Sequence, residues 1–167
     1  MKKLFALFFV SATLLWGCKK DDTPAAKTKS DLIARNWQFQ TASVTLGTIP
    51  VTAYTKGGGA GNLVDFSSSY MNFKSDKSFS QVILPGTTTT GTWKFNTGET
   101  AFILTSSSGS VDTWTLDNLT ETNLNFSRQI AGNSTDPSDQ SWLALIKSYG
   151  FSTANGAKIE VKAIPNP

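Results

Sequence analysis

Histidine is absent from the 167 residues, cysteine occurs once, and charged side chains make up only 16% of the chain. Without imidazole, the commonest general base near neutral pH and a frequent metal ligand are missing. One thiol cannot form a disulfide within the chain, so any folded part must be held by packing and strand pairing. No apolar run reaches the roughly 20 residues that a membrane-crossing helix needs. The most apolar stretch, between Lys3 and Gly17, has 13 residues and includes Ser11 and Thr13. Motifs of catalysis are missing as well: there is no Gly-x-Ser-x-Gly elbow and no calcium loop, and Gly57-Gly58-Gly59 lacks the Lys-Ser/Thr continuation of a phosphate loop. The acids Asp65, Glu99, Asp112 and Glu160 are scattered. A non-catalytic protein is expected, with no metal and no cofactor.

What is present begins at the N-terminus. Lys2-Lys3 is followed by apolar Leu4 to Trp16, then by Gly17 and the lone Cys18. A short basic region, an apolar core and a small residue before a cut make a signal peptide. The Leu15-Trp16-Gly17-Cys18 run resembles the lipobox of bacterial lipoproteins, with Trp16 where a smaller residue is commoner. That resemblance implies that residues 1–17 are removed and that Cys18 carries the lipid, including palmitate-type acyl chains. Two or more chains, at about 0.8 kcal/mol per buried CH₂, hold a protein on a membrane almost permanently. Residues 18–31 then read as the anchor and a flexible tether, because Lys19 to Lys29 has no aromatic or branched apolar residue with which to fold. Asp21-Asp22 looks like the export signal of some outer-membrane lipoproteins. The expected location is the outer membrane, lipid-anchored, facing the surface or the periplasm.

Removing the signal changes the charge. Of 15 Lys and Arg, two leave with it, so 13 stand against 12 Asp and Glu and the pI of about 9.0 overstates the basicity. No basic face stands out, and nucleic acid is not an expected partner. Residues 32–167 are the size of one domain. The large apolar groups available to fill it include Trp37, Trp93, Trp114, Trp142, Phe73, Phe79, Phe95, Phe102 and Phe126.

From Trp37 onward the chain alternates polar and apolar residues and is rich in Thr, Ser, Val and aromatics, broken by Gly, Asn and Asp, as short antiparallel strands are. Asn36 to Thr45 opens the domain, with Trp37 and Phe39 facing inward. Gly47 to Ser68, with Pro50 and three consecutive glycines, reads as one long connection. Three hairpins follow: Tyr70–Lys74 with Ser78–Leu84, Thr92–Phe95 with Thr100–Leu104, and Val111–Leu116 with Thr122–Arg128. The Thr87 to Thr90 and Ser106 to Ser108 runs read as solvated strand ends. Asp136-Pro137 starts a helix whose Trp142, Leu145, Ile146 and Tyr149 share a face, and Gly150 ends it. Lys158 to Ile164 alternates as a last strand.

This order, an all-β up-and-down antiparallel barrel of about eight strands with one short helix before the last strand, resembles the lipocalin-like domain of small bacterial outer-membrane lipoproteins. Leu32-Ile33-Ala34-Arg35-Asn36-Trp37, Tyr70-Met71-Asn72-Phe73 and Gly91-Thr92-Trp93 carry the resemblance. Arg35 stands where lipocalins usually have a glycine. The resemblance implies that Arg128 stacks on Trp37 at the barrel base, a contact worth about 0.5 to 2 kcal/mol. It also implies a lid made by Tyr54, Leu63 and Phe66 over a cup. Phe39, Phe73, Phe79, Trp93, Phe95, Phe102, Trp114 and Phe126 are the candidate lining of that pocket, or its core. Two roles stay open. One is a carrier of a small apolar or amphipathic ligand; the other is an interaction lipoprotein with a filled barrel that contacts an envelope protein or a glycan. An open cavity above about 300 Å³ favours the first.

Overall fold

A computed structural model describes residues 26–83 and 87–167. Cys18, the signal and most of the tether lie outside them. The elements in order are α1 (Lys29–Ile33), β1 (Asn36–Leu46), β2 (Ile49–Thr55), β3 (Tyr70–Phe73), β4 (Ser78–Val82), β5 (Thr88–Phe95), β6 (Ala101–Ser106), β7 (Val111–Leu119), β8 (Leu124–Ile130), α2 (Pro137–Ser148) and β9 (Ala157–Pro165). Strands β3 to β9 pair antiparallel with their sequence neighbours. β1 joins β3 on one edge and β9 on the other, which closes an eight-stranded barrel. The expected up-and-down barrel with a helix before its last strand is therefore the observed fold.

Closure follows from the side-chain period of two. In β1, Trp37, Phe39, Ala42 and Val44 are buried, with the parity reset by an irregularity in the pairing between Phe39 and Thr41. In β8, Leu124, Phe126 and Ile130 are buried. Gly91 of β5 meets β6 where a side chain has no room: a Cβ there would collide with the Thr105 carbonyl. Glycine thus permits a close backbone approach at this point of the wall.

Residues 47–68 are not one long connection. β2 pairs with the second half of β1, from Thr41↔Thr55 to Leu46↔Ile49. Its outer edge has no partner strand among the described residues, which is why Pro50 is tolerated there. The last residues assigned to the tether also have structure. The Thr28 hydroxyl accepts from the Asp31 N–H while the Asp31 carboxylate accepts from the Thr28 N–H, a reciprocal cap that starts α1 at Lys29. Ile33, fully buried, fixes α1 to the barrel.

The two ends of the barrel differ. α1 lies at the end formed by the β3–β4, β5–β6 and β7–β8 turns. Lys77 donates to the Ser30 hydroxyl, Lys29 to the Glu99 carbonyl and Arg35 to the Glu121 carbonyl, and Lys27 pairs with Glu121 at 2.7 Å. The other end carries the end of β4, the start of β5, the β6–β7 turn and α2. Asp136 caps α2 by accepting from Ser138 and Asp139 N–H groups, with Pro137 in the first turn. Leu143 and Ile146 are its buried residues, so the inward face is centred one position away from the expected Trp142–Tyr149 stripe, and Tyr149 is exposed.

Candidate functional site

The lower part of the barrel is solid. Phe73, Trp93, Phe102, Trp114 and Phe126 are each at most 3% exposed. They meet edge to face, from 5.1 Å for Trp114–Phe126 to 5.6 Å for Phe73–Trp93. Such pairs add about 0.5–1.5 kcal/mol each beyond area burial. Phe79 is buried in the same core and Phe95 packs against it in contact with Trp93. Two buried indole N–H groups are satisfied locally: Trp37 donates to the Ile33 carbonyl at 2.9 Å and Trp93 to the Lys74 carbonyl at 3.0 Å. Most of the candidate lining residues are thus core filler.

The expected lid is also part of the packing. Tyr54 is a buried β2 residue at 5.8 Å from Phe66, and Phe66 lies 5.7 Å from Phe39. Burial, with Asp65 nearby, pushes the Tyr54 phenol pKa up. Leu63 is 45% exposed. Beneath α2 these groups leave an apolar cavity of about 60 Å³, bounded by Phe39, Val44, Val64, Phe66, Ile146 and Val161. That space is far below the roughly 300 Å³ of a small-molecule pocket.

Arg128 does not stack on Trp37. It pairs with Ile159, which pairs with Val44, seven residues along β1 from Trp37 and so roughly 23 Å away along the strand. The cation over Trp37 is Arg35, at 5.4 Å. Arg128 instead points inward at the α2 end, its side chain 11% exposed. It bridges Asp112 of β7 at 2.7 Å and Asp139 of α2 at 2.6 Å, reaches Asp136 at 3.4 Å and lies 6.0 Å from the Trp114 ring. The Ser138 hydroxyl donates to the same Asp112 oxygen. A low-exposure guanidinium needs such carboxylates, and this cluster ties the start of α2 to the barrel wall.

Beside that cluster the mouth is open. A cup of about 420 Å³ is lined by the upper inward positions of β4 to β7 and by one side of α2. Going up the strands, the inward residue changes from Phe79 to Gln81, from Trp93 to Thr89 and from Leu104 to Ser106. The Thr and Ser runs read as solvated ends therefore send Thr87, Thr89, Ser106 and Ser108 into the cup. Trp114 forms part of its floor and Trp142, perpendicular to Trp114 at 5.9 Å, part of its side. Gln81 is 7% exposed, and its Oε1 has no hydrogen-bond partner among the described residues. Period-two reading assigns Gln81 and Thr89 to the inner face, but only closure of the barrel and the position of α2 show that this part of the interior is left unfilled.

No protein-family model matches the chain, and comparison with curated proteins gives no match. No group of three or more potential metal ligands occurs among the described residues, and no described helix is long and apolar enough to cross a membrane.

Proposed function

We propose that this chain is a lipid-anchored envelope protein with a lipocalin-like, non-catalytic barrel that binds one small amphipathic molecule at its mouth. The observation that supports binding is the open cup of about 420 Å³ at the end opposite α1. Its volume lies in the range of small-molecule sites. The anchor reading rests on the Lys2-Lys3, Leu4–Trp16, Gly17-Cys18 order. The two fit together: Lys27 pairs with Glu121 at the closed end, so the segment that follows Cys18 reaches the barrel at the end opposite the cup.

Two measurements test this reading. Cells fed radioactive palmitate should label the wild-type protein, and Cys18→Ala should lose the label and move to the soluble fraction. The purified full-length protein, soaked in an envelope extract and examined by native mass spectrometry, should carry a small adduct. Unlabelled wild type removes the anchor, and protein that stays empty removes the carrier. The aromatic filling of the lower barrel favours the second role, an interaction lipoprotein that contacts an envelope protein or glycan through its exterior.

A further inference from the structure

The geometry points to a neutral saccharide, of mono- or disaccharide size, as the ligand of the cup, bound against Trp142 and Trp114 and hydrogen-bonded by Gln81. This deepens the proposed function and rests on the barrel being a binding module.

Three observations support the class. The first is the unpartnered amide. Gln81 is more than nine-tenths buried, and its Oε1 lacks a partner among the described residues, which in a folded interior costs stability unless something else pairs with it. Its terminal torsion is broad and two-fold, so either end of the amide can turn to the cup. A group with both donor and acceptor matches a sugar hydroxyl, which is itself both.

The second observation is the contrast between tryptophans. Trp37 and Trp93 donate to backbone carbonyls, whereas the two at the cup donate to no acceptor among the described residues. Trp142 is half-buried on the cup side of α2 and Trp114 lies beneath, so apolar ring surface sits next to unpaired N–H donors. A pyranose has the complementary surface, an apolar C–H face with a rim of hydroxyls.

The third is charge and polarity. Among the described residues the only ionisable group lining the cup is Asp112, and the nearby cation Arg128 is occupied by Asp112, Asp139 and Asp136. Phosphates and fatty-acid carboxylates would meet a carboxylate with no free cation. Hydrocarbon against the Thr89 and Ser106 hydroxyls would strip them of water without a replacement bond.

The test uses the full acylated protein in detergent micelles, with saturation-transfer NMR and tryptophan fluorescence against glucose, galactose, mannose, N-acetylglucosamine, maltose, cellobiose and chitobiose. Palmitate and a lysophospholipid serve as apolar probes. The expected result is saturable binding of at least one saccharide, weakened tenfold or more by Gln81→Leu and by Trp142→Ala. Gln81→Leu should keep or raise the thermal midpoint, so that loss of binding is not loss of fold. If no sugar in the panel binds but an apolar probe does, the saccharide proposal is overturned while the binding role stands. If neither class binds, both fail. Sugar binding that Gln81→Leu leaves unchanged also overturns the proposed site.

Discussion

Arg128 decides how the upper barrel is held. Its guanidinium is inside, and its carboxylate partners come from both the wall and α2. Removing one member of such a low-exposure network leaves like charges facing each other without compensation. Arg128→Leu should therefore destabilise the domain by about 3 kcal/mol, read as a lower urea midpoint. The Arg128→Leu/Asp112→Leu double variant should recover part of that loss, because one of the orphaned carboxylates goes with it and Asp139 remains. Equal destabilisation of single and double variants would show that the charges are not coupled. Gly91 is a second point of strict demand. A methyl group there meets the Thr105 carbonyl, so Gly91→Ala should cost about 1–3 kcal/mol by overpacking, measured by the same denaturation; an unchanged midpoint would mean the wall relaxes freely at β5–β6.

At the scale of elements, the two helices depend on their first turns. Asp136→Ala should weaken α2 by about 1 kcal/mol through loss of its cap. Slower amide exchange across residues 138–141 in the wild type than in the variant is the expected signature. In α1, hydrogen bonds from the Thr28 hydroxyl and backbone N–H hold the Asp31 carboxyl below the usual aspartate range. A carboxyl whose folded pKa is depressed stabilises the fold above its unfolded pKa, and that contribution fades as pH falls through the folded value. α1 should thus loosen on acidification below the normal aspartate range, visible as shifts of the Thr28 and Asp31 amides, and Thr28→Val should shrink the dependence.

The hairpins were legible because each joins period-two alternation to turn residues. Asn96 illustrates this, since its side-chain oxygen accepts from the Thr100 and Ala101 N–H groups and makes the expected turn. β2 was not legible. It is an edge strand with mostly exposed side chains, and Pro50 and the glycines at 57–59 look like breakers unless the β1 partner is known. The place of Arg128 is hidden from the sequence for a related reason. Strand sequence shows that it faces inward but not which end of the cylinder it occupies, and Arg35, two residues before Trp37, was already within reach of that ring.

The whole molecule has a polarity that no local segment shows. One end is sealed by α1 and a ring of lysine and arginine contacts to turns; the other is half plugged by α2 and half open. In the proposed lipid-anchored form, a fluorophore placed at exposed Ser108 should lie farther from the bilayer than one at exposed Lys74. Headgroup quenchers in vesicles should dim the Lys74 probe more. Equal quenching would mean the barrel lies on its side.

Joining β1 to β9 also sets an order of events. Even the nearest closing pair, Thr45 and Lys158, stands 113 positions apart, and the ring is sealed only when β1 and β9 pair. Contacts so distant along the chain are slow to form. A polypeptide whose β9 is not yet free to pair therefore cannot finish this fold, since it stays an open ribbon with two bare margins, one on β1 and one on β8. Deleting β9 would leave that ribbon permanently unsealed and prone to stick to its own kind.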